Sequence, residues 1–231
     1  PAHTAPPGGA PGPEAHAAAP PGVRLRRVGL AGWLVEVPAD ASPAALHSFL
    51  VARRAAGELP GVVDLVPGAR TVLVDARPPG PARSALAALL ARWDPARGAD
   101  GPPPRSVTVP VRYDGADLAD VARLTGLTER EVVALHSGAD ATVAFCGFAP
   151  GFAYLAGLPA ALRVPRLATP RAAVPAGAVA VAEEYTGIYP RPSPGGWRIL
   201  GRTAVRLWDP RRAEPALLTP GTRVRFVPEP W

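Results

Sequence analysis

Three stretches of the chain gather the residue types from which a small-molecule site can be built. The first runs from Phe145 to Leu158 and places Phe145, Phe148, Phe152 and Tyr154 within ten positions, in a chain with only 5 Phe, 4 Tyr and 5 Trp. Gly147, Pro150, Gly151 and Gly157 are threaded between the rings. Glycine weakens a strand, so glycines kept beside aromatics point to something approaching the backbone closely while rings wall a pocket. A core strand ending in a tight Pro150-Gly151 turn reads the same residues equally well. The second stretch, Pro165 to Gly177, carries Arg166 and Arg171, the latter between Pro170 and Pro175. A guanidinium held by such a loop offers two parallel donors to a carboxylate or phosphate, although a structural ion pair uses the same geometry. The third stretch joins Tyr185-Thr186-Gly187-Ile188-Tyr189-Pro190 to Pro194-Gly195-Gly196-Trp197.

Missing residue types narrow the chemistry. The chain has no Lys, Met, Asn or Gln, and all 25 of its basic residues are Arg. Without Lys there is neither a phosphate-binding loop of the GxxxxGK[ST] type nor a Schiff base. The lone Cys146 excludes an internal disulfide and a multi-cysteine metal site, and fits a reducing, cytoplasmic setting. No metal site is expected. The net charge of +6 and pI near 10.6 follow from a wholesale preference for Arg and are weak support for nucleic-acid binding. Residues 141–231 hold 11 Arg against 5 acidic residues, so the excess falls in the half with the three stretches and favours an anionic ligand or an acidic partner surface. Apolar runs are too short to span a bilayer, and no membrane association is expected.

Positioning these stretches requires a scaffold. Residues 1–22 are mostly Ala, Pro and Gly, with almost no bulky apolar residue, and read as a disordered tail. Over 23–94 the pattern is β-β-α-β-β-α: strands Val23–Val28 and Trp33–Val37, a helix from Ser42-Pro43 to Ala56, a hairpin of Val62–Val66 and Thr71–Ala76, and a helix over Pro81–Trp93. Residues 95–105 read as a Pro/Gly linker. From 106 to 231 a strand at Val107–Tyr113 leads to helices at Asp117–Leu124 and Thr128–Leu135, the second opened by a Thr128/Glu131 capping box. His136 ends that helix, where a protonated imidazole suits the helix dipole or the ring serves a site. Short apolar segments follow at Thr142–Gly147, Ala178–Val181, Trp197–Gly201, Ala204–Trp208 and Arg223–Val227, spaced as in a closed antiparallel barrel. The fold class is α+β, with a small α+β unit followed by a β-barrel.

The motifs taken together, Phe145-x-Gly-Phe-x-Pro-Gly-Phe-x-Tyr-Leu, Thr169-Pro-Arg-x-x-Val-Pro-Ala-Gly, Thr186-Gly-Ile-Tyr-Pro and Pro194-Gly-Gly-Trp, resemble the family of 5-oxoprolinase B subunits (PxpB, KipI or allophanate hydrolase subunit 1; carboxyltransferase subdomains C and D). Leu207-Trp208-Asp209-Pro210 and the Pro220–Pro228 stretch extend the match. Members usually carry Gly-Gly and Gln where this chain has Ala182, Glu183 and Tyr185, and an acidic residue in place of Leu30. The resemblance implies a cyclophilin-like barrel and a subunit that works with a homologous PxpC/KipA-like subunit and a PxpA-like subunit. Together they use ATP, bound with the partner and accompanied by Mg2+, to open 5-oxoproline to glutamate. It leaves open a binding module that inhibits a sensor histidine kinase, or a part of a urea carboxylase or allophanate hydrolase system. The residues expected to line the site are Phe148, Pro150, Gly151, Phe152, Tyr154, Arg166, Arg171, Gly177, Thr186, Gly187, Tyr189, Gly195, Gly196 and Trp197, with His136, Arg171 and Tyr189 as candidates for chemistry.

Overall fold

The computed structural model describes residues 21–94 and 105–230. The expected tail, apart from Pro21 and Gly22, and the expected linker, apart from Arg105, lie outside them. Chain order in the first unit is β1 (Arg24–Val28), β2 (Gly32–Glu36), α1 (Pro43–Ala55), β3 (Val62–Pro67), β4 (Thr71–Ala76) and α2 (Arg83–Leu90). The strands form an antiparallel sheet in the order β1-β2-β4-β3. Helix α1 starts where the sequence says it must: Ser42 Oγ accepts the Ala45 N–H at 3.3 Å, and Pro43 occupies the first helical turn, where no N–H is needed. Leu46 and Leu50, one turn apart, are fully buried with Trp33, Val35, Val72, Val74, Leu86 and Leu90 in the core between sheet and helices. Helix α2 is shorter than Pro81–Trp93, and Ala82 gives its N-terminus no side-chain cap.

The second unit comprises β5 (Ser106–Val111), α3 (Leu118–Thr125), α4 (Glu129–Ser137), β6 (Ala141–Cys146), β7 (Ala153–Ala156), a 3-10 turn (Ala160–Leu162), β8 (Arg171–Val174), β9 (Ala178–Ala182), β10 (Tyr185–Ile188), β11 (Ser193–Gly195), β12 (Arg198–Arg202) and β13 (Arg223–Pro228). The Thr128 capping box forms: Thr128 Oγ1 accepts the Glu131 N–H, and the Glu131 carboxylate accepts the Thr128 N–H at 2.8 Å. Seven strands run β12-β9-β10-β7-β6-β13-β5, and a separate pair, β8 and β11, forms a small flap. The edges of the large sheet meet where Arg112 and Arg202 exchange backbone N–H···O bonds, both 2.9 Å, and the Gly115 N–H donates to Leu200 O at 3.0 Å. The enclosed core holds Val109, Val111, Val143, Leu155, Val181, Ile188, Leu200 and Phe226. The first unit reaches the barrel through β3 and α1, which pack on β6.

Three local readings change. The barrel is antiparallel except for β13, which runs parallel to β5 along its whole length, as strands so far apart in sequence can. Ala204–Trp208 forms no strand, only a bridge from Trp208 to Ala216. The three glycine-rich stretches are not purely loops: they contain β7, β8, β10 and β11. Among the described residues no helix is long and apolar enough to cross a membrane.

The seam depends on a bare backbone at residue 201, where a Cβ would sit 2.3 Å from Arg112 O and 2.9 Å from Tyr113 Cα. Gly201→Ala is therefore expected to cost about 2–3 kcal/mol of stability, as overpacking against rigid backbone does. Urea unfolding checks this, and an unchanged midpoint contradicts the seam.

Candidate functional site

Rings from the first and third stretches converge on one side of the barrel. Phe145 stacks on Tyr154 with centroids 4.3 Å apart, and Tyr185 meets both edge-on. Phe152 lies at the hub, edge-to-face with Phe148, Tyr154, Tyr189 and Trp197 at 5.1–5.5 Å. Such pairs add about 0.5–1.5 kcal/mol each beyond area burial. Glycines admit them. A Cβ on Gly187 of β10 would meet Phe152 Cζ and Trp197 Cζ3, each at 3.1 Å, and one on Gly195 of β11 would lie 2.2 Å from the Tyr189 hydroxyl. Ring faces thus fill the space that side chains would occupy, which is why strands this rich in glycine persist.

The cluster has a buried and an open part. Phe152, Tyr189 and Trp197 are buried with Val174, Ala180 and Ile199, so they are core rather than exposed pocket wall. Phe145, Tyr154 and Tyr185 are half-buried, and Phe148 and Pro150 are exposed. Gly151 and Gly177 take positive φ in turns, and the Gly196 carbonyl accepts the Leu167 N–H at 2.7 Å. Burial pushes the Tyr189 phenol up, so it is a hydrogen-bonding group at neutral pH. Arg166 is exposed, acts electrostatically on Tyr189 and makes no ion pair with the other described residues.

Arg171 is not free. Its guanidinium grips Asp117 with two bonds, NH2 to Oδ1 at 2.7 Å and NH1 to Oδ2 at 2.9 Å, which holds its own proton more tightly than usual. Asp117, 5% exposed, also accepts the Ile199 N–H at 2.7 Å. One turn along α3, Asp120 pairs with the buried Arg198, whose Nε donates to Pro165 O at 2.8 Å. These carboxylates fasten the flap strand β8 and strand β12 to α3. The basic excess of residues 141–231 is therefore partly neutralised by Asp114, Asp117 and Asp120 from the preceding segment. Sequence reading missed Asp117, Asp120 and Arg198, because their partners lie 54 and 78 residues away.

His136 belongs to neither the open face nor a charged helix end. It is fully buried, with Nδ1 2.7 Å from Tyr113 Oη and Nε2 2.8 Å from Thr186 Oγ1. Thr186 Oγ1 donates to Ala180 O at 3.1 Å, so it must accept from Nε2–H, which leaves Nδ1 to accept from the Tyr113 hydroxyl. The chain of bonds is complete only for a neutral imidazole. Burial depresses the His136 pKa to about 3, against an ordinary 6.5. The protonated ring anticipated from its helix-end position is excluded by this desolvation, and Thr186 is a core residue for the same reason. Burial likewise raises the Cys146 thiol, whose Sγ lies 3.5 Å from Leu218 O.

The profile of the family described as carboxyltransferase domain, subdomain C and D, matches residues 23–218. The chain belongs to this family. It is 46% identical over 177 residues to the 5-oxoprolinase B subunit of Escherichia coli O157:H7, covering 74% of this chain and 80% of that protein. It is 45% identical over 128 residues to the Haemophilus influenzae protein of the same name, covering 54% and 60%. Among solved structures, TTHA0988 superposes with a TM-score of 0.71 at 40% identity, over 90% of this chain and 41% of that one. The chain thus spans about two-fifths of TTHA0988. The Kluyveromyces lactis urea amidolyase shares the fold, with a TM-score of 0.68 at 19% identity, over 90% of this chain and 15% of that one. The match spans the helix–sheet layer and the barrel as far as Leu218, short of β13.

The His136 relay gives a pH dependence. Below pH 6.5 the unfolded chain takes up a proton on this histidine and the folded one does not, so stability is complete above pH 6.5 and falls as pH drops toward 3, by about 1.4 kcal/mol per unit well below 6.5. Between pH 6.5 and 5, wild type is expected to lose roughly 1.5–2 kcal/mol more than His136→Gln, which lacks the titrating ring. Parallel curves from urea melts at each pH contradict the neutral relay.

Proposed function

We infer that the chain is the B subunit of an ATP-dependent 5-oxoprolinase, a hydrolase that opens the lactam of 5-oxoproline to glutamate. The observation that carries this is the 46% identity over 177 residues to the Escherichia coli 5-oxoprolinase B subunit, 74% of this chain and 80% of that one. The geometry is compatible with a small, flat anionic substrate. Phe145, Tyr154 and Tyr185 offer half-buried ring faces for a five-membered lactam, and Arg166 is an available guanidinium for its carboxylate. Tyr189 remains a neutral phenol, and Arg171 acts by holding the flap that carries Gly195 against it.

Under this assignment the nucleotide is shared with the companion subunits. There is no Lys, Arg171 is committed to Asp117, and among the described residues no three His, Cys, Asp or Glu gather as a metal would require. In this reading ATP and its Mg2+ are held where this chain meets its companions, the homologous PxpC-like subunit and the PxpA-like subunit. A lactam is resonance-stabilised, so coupling its opening to ATP is chemically reasonable, and donors aimed at the developing oxyanion lower its barrier. The chain's own part is to bind and orient, which makes it inactive in isolation.

Reconstitution tests this. The isolated chain is expected to give no 5-oxoproline-dependent ATP cleavage, and the mixture with both companions to release glutamate. Arg166→Ala should raise the KM for 5-oxoproline about tenfold, or about 1.4 kcal/mol. Turnover by the chain alone, or a fully assembled complex that ignores 5-oxoproline, contradicts the assignment.

A further inference from the structure

The turn between β6 and β7 holds a ring out to solvent at a conformational cost. The Ala149 N–H donates to Gly147 O at 2.7 Å, closing a three-residue turn with Phe148 at its apex at φ +66°. Positive φ costs a residue with a Cβ about 1–2 kcal/mol, and tight turns of this kind are rare and strained. The ring so placed is 58% exposed, although its neighbours Phe152 and Tyr189 are buried. Strain held against an exposed apolar side chain is a mark of a contact made elsewhere.

The turn is part of a larger surface. Gly151 rests on the Leu207–Trp208 backbone, where a Cβ would come within 2.8 Å of Trp208 Cβ. Trp208 is itself 39% exposed, and Pro150 and Pro210 are exposed beside it. The rim is basic. Arg206 and Arg211 both pair with Asp209, Arg212 donates to Arg206 O, and Glu214 is paired with Arg105, which leaves three guanidinium groups around one available carboxylate. Exposed Phe, Trp and Pro, with Arg on both sides of Trp208 in the chain, have the composition of a protein–protein contact, in which Trp and Arg carry most of the energy.

We propose that Phe148 and Trp208, with the rim Arg206, Arg211 and Arg212, form the docking surface for the companion subunit, which presents an apolar recess bordered by carboxylates. This rests on reading the chain as one subunit of a larger assembly. The length relation supports a protein occupant: TTHA0988 carries the equivalent of this chain as 41% of one polypeptide, so most of that chain is available to pack against this unit. The surplus of guanidinium over carboxylate fixes the sign of the facing surface. The Phe148 ring sits edge-on to Phe152 and Tyr189 at 5.2 and 6.1 Å, so a companion seated here is braced by the buried part of the aromatic cluster.

Calorimetric titration of the full chain with the PxpC-like subunit tests the surface. Phe148→Gly relieves the positive φ, so its melting temperature should hold or rise while its affinity falls about 30-fold or more. Trp208→Ala should weaken binding similarly, and the pair Arg211→Glu and Arg212→Glu should weaken it and flatten its salt dependence. If folded Phe148→Gly, Trp208→Ala and the charge-reversed chain all bind like wild type, the surface is wrong while the subunit reading stands. If wild type itself fails to bind, both fail. If Phe148→Gly assembles normally but the complex loses affinity for 5-oxoproline, the ring is a ligand contact and the docking surface is overturned.

Discussion

The second unit hangs on one buried carboxylate. Asp117 receives two charged N–H bonds from Arg171 and a backbone N–H bond from Ile199, and so joins the start of α3, the flap strand β8 and strand β12 at a single residue. A carboxylate out of water without partners costs several kcal/mol, and three donors with good geometry offset that cost. The flap is a two-stranded sheet, a form marginal alone, and its second strand brings Gly195 against the Tyr189 hydroxyl. Without the Asp117 anchor nothing comparable holds Arg171, and the packing that lets Tyr189, Phe152 and Trp197 close into one cluster is loosened.

The same rule of paired polar groups governs the barrel interior. Tyr113, His136 and Thr186 enter an otherwise apolar core as a closed series of donors and acceptors ending on the Ala180 carbonyl. Each polar atom is satisfied in one protonation state, so the core gains specificity and an acid sensitivity together. The half-buried aromatic face and the exposed Arg166 contrast with these closed networks, and the proposed ligand site rests on that contrast.

How much of this is legible in sequence follows from the range of each interaction. Local signals suffice for Ser42-Pro43, for the Thr128/Glu131 capping box, and for the hairpin of Val62–Val66 and Thr71–Ala76, because a cap or tight turn is decided within four residues. Strand β10 is obscured by Gly187, which lowers strand propensity by itself; only in the fold do Phe152 and Trp197 compensate from the opposite side. Arg171 is legible as a fixed guanidinium but not as half of an ion pair, since Asp117 lies 54 residues earlier and its own neighbours suggest only a helix start. The helix-end position of His136 points to a charge, and tertiary burial overrides it. The exposed apex at Phe148 is visible as an aromatic among glycines, but its φ of +66° belongs to the folded turn.

A double-mutant cycle on Asp117 and Arg171, read by urea unfolding, tests the central anchor most directly. Asp117→Ala is expected to cost about 3–4 kcal/mol and Arg171→Ala about 2–3 kcal/mol, the first being larger because Ile199 N–H is orphaned as well. The double variant should be more stable than the sum of the two losses implies, by about 1.5 kcal/mol or more. Losses that add to within about 0.5 kcal/mol would show that the two residues are not coupled, and the anchor would then have to lie elsewhere.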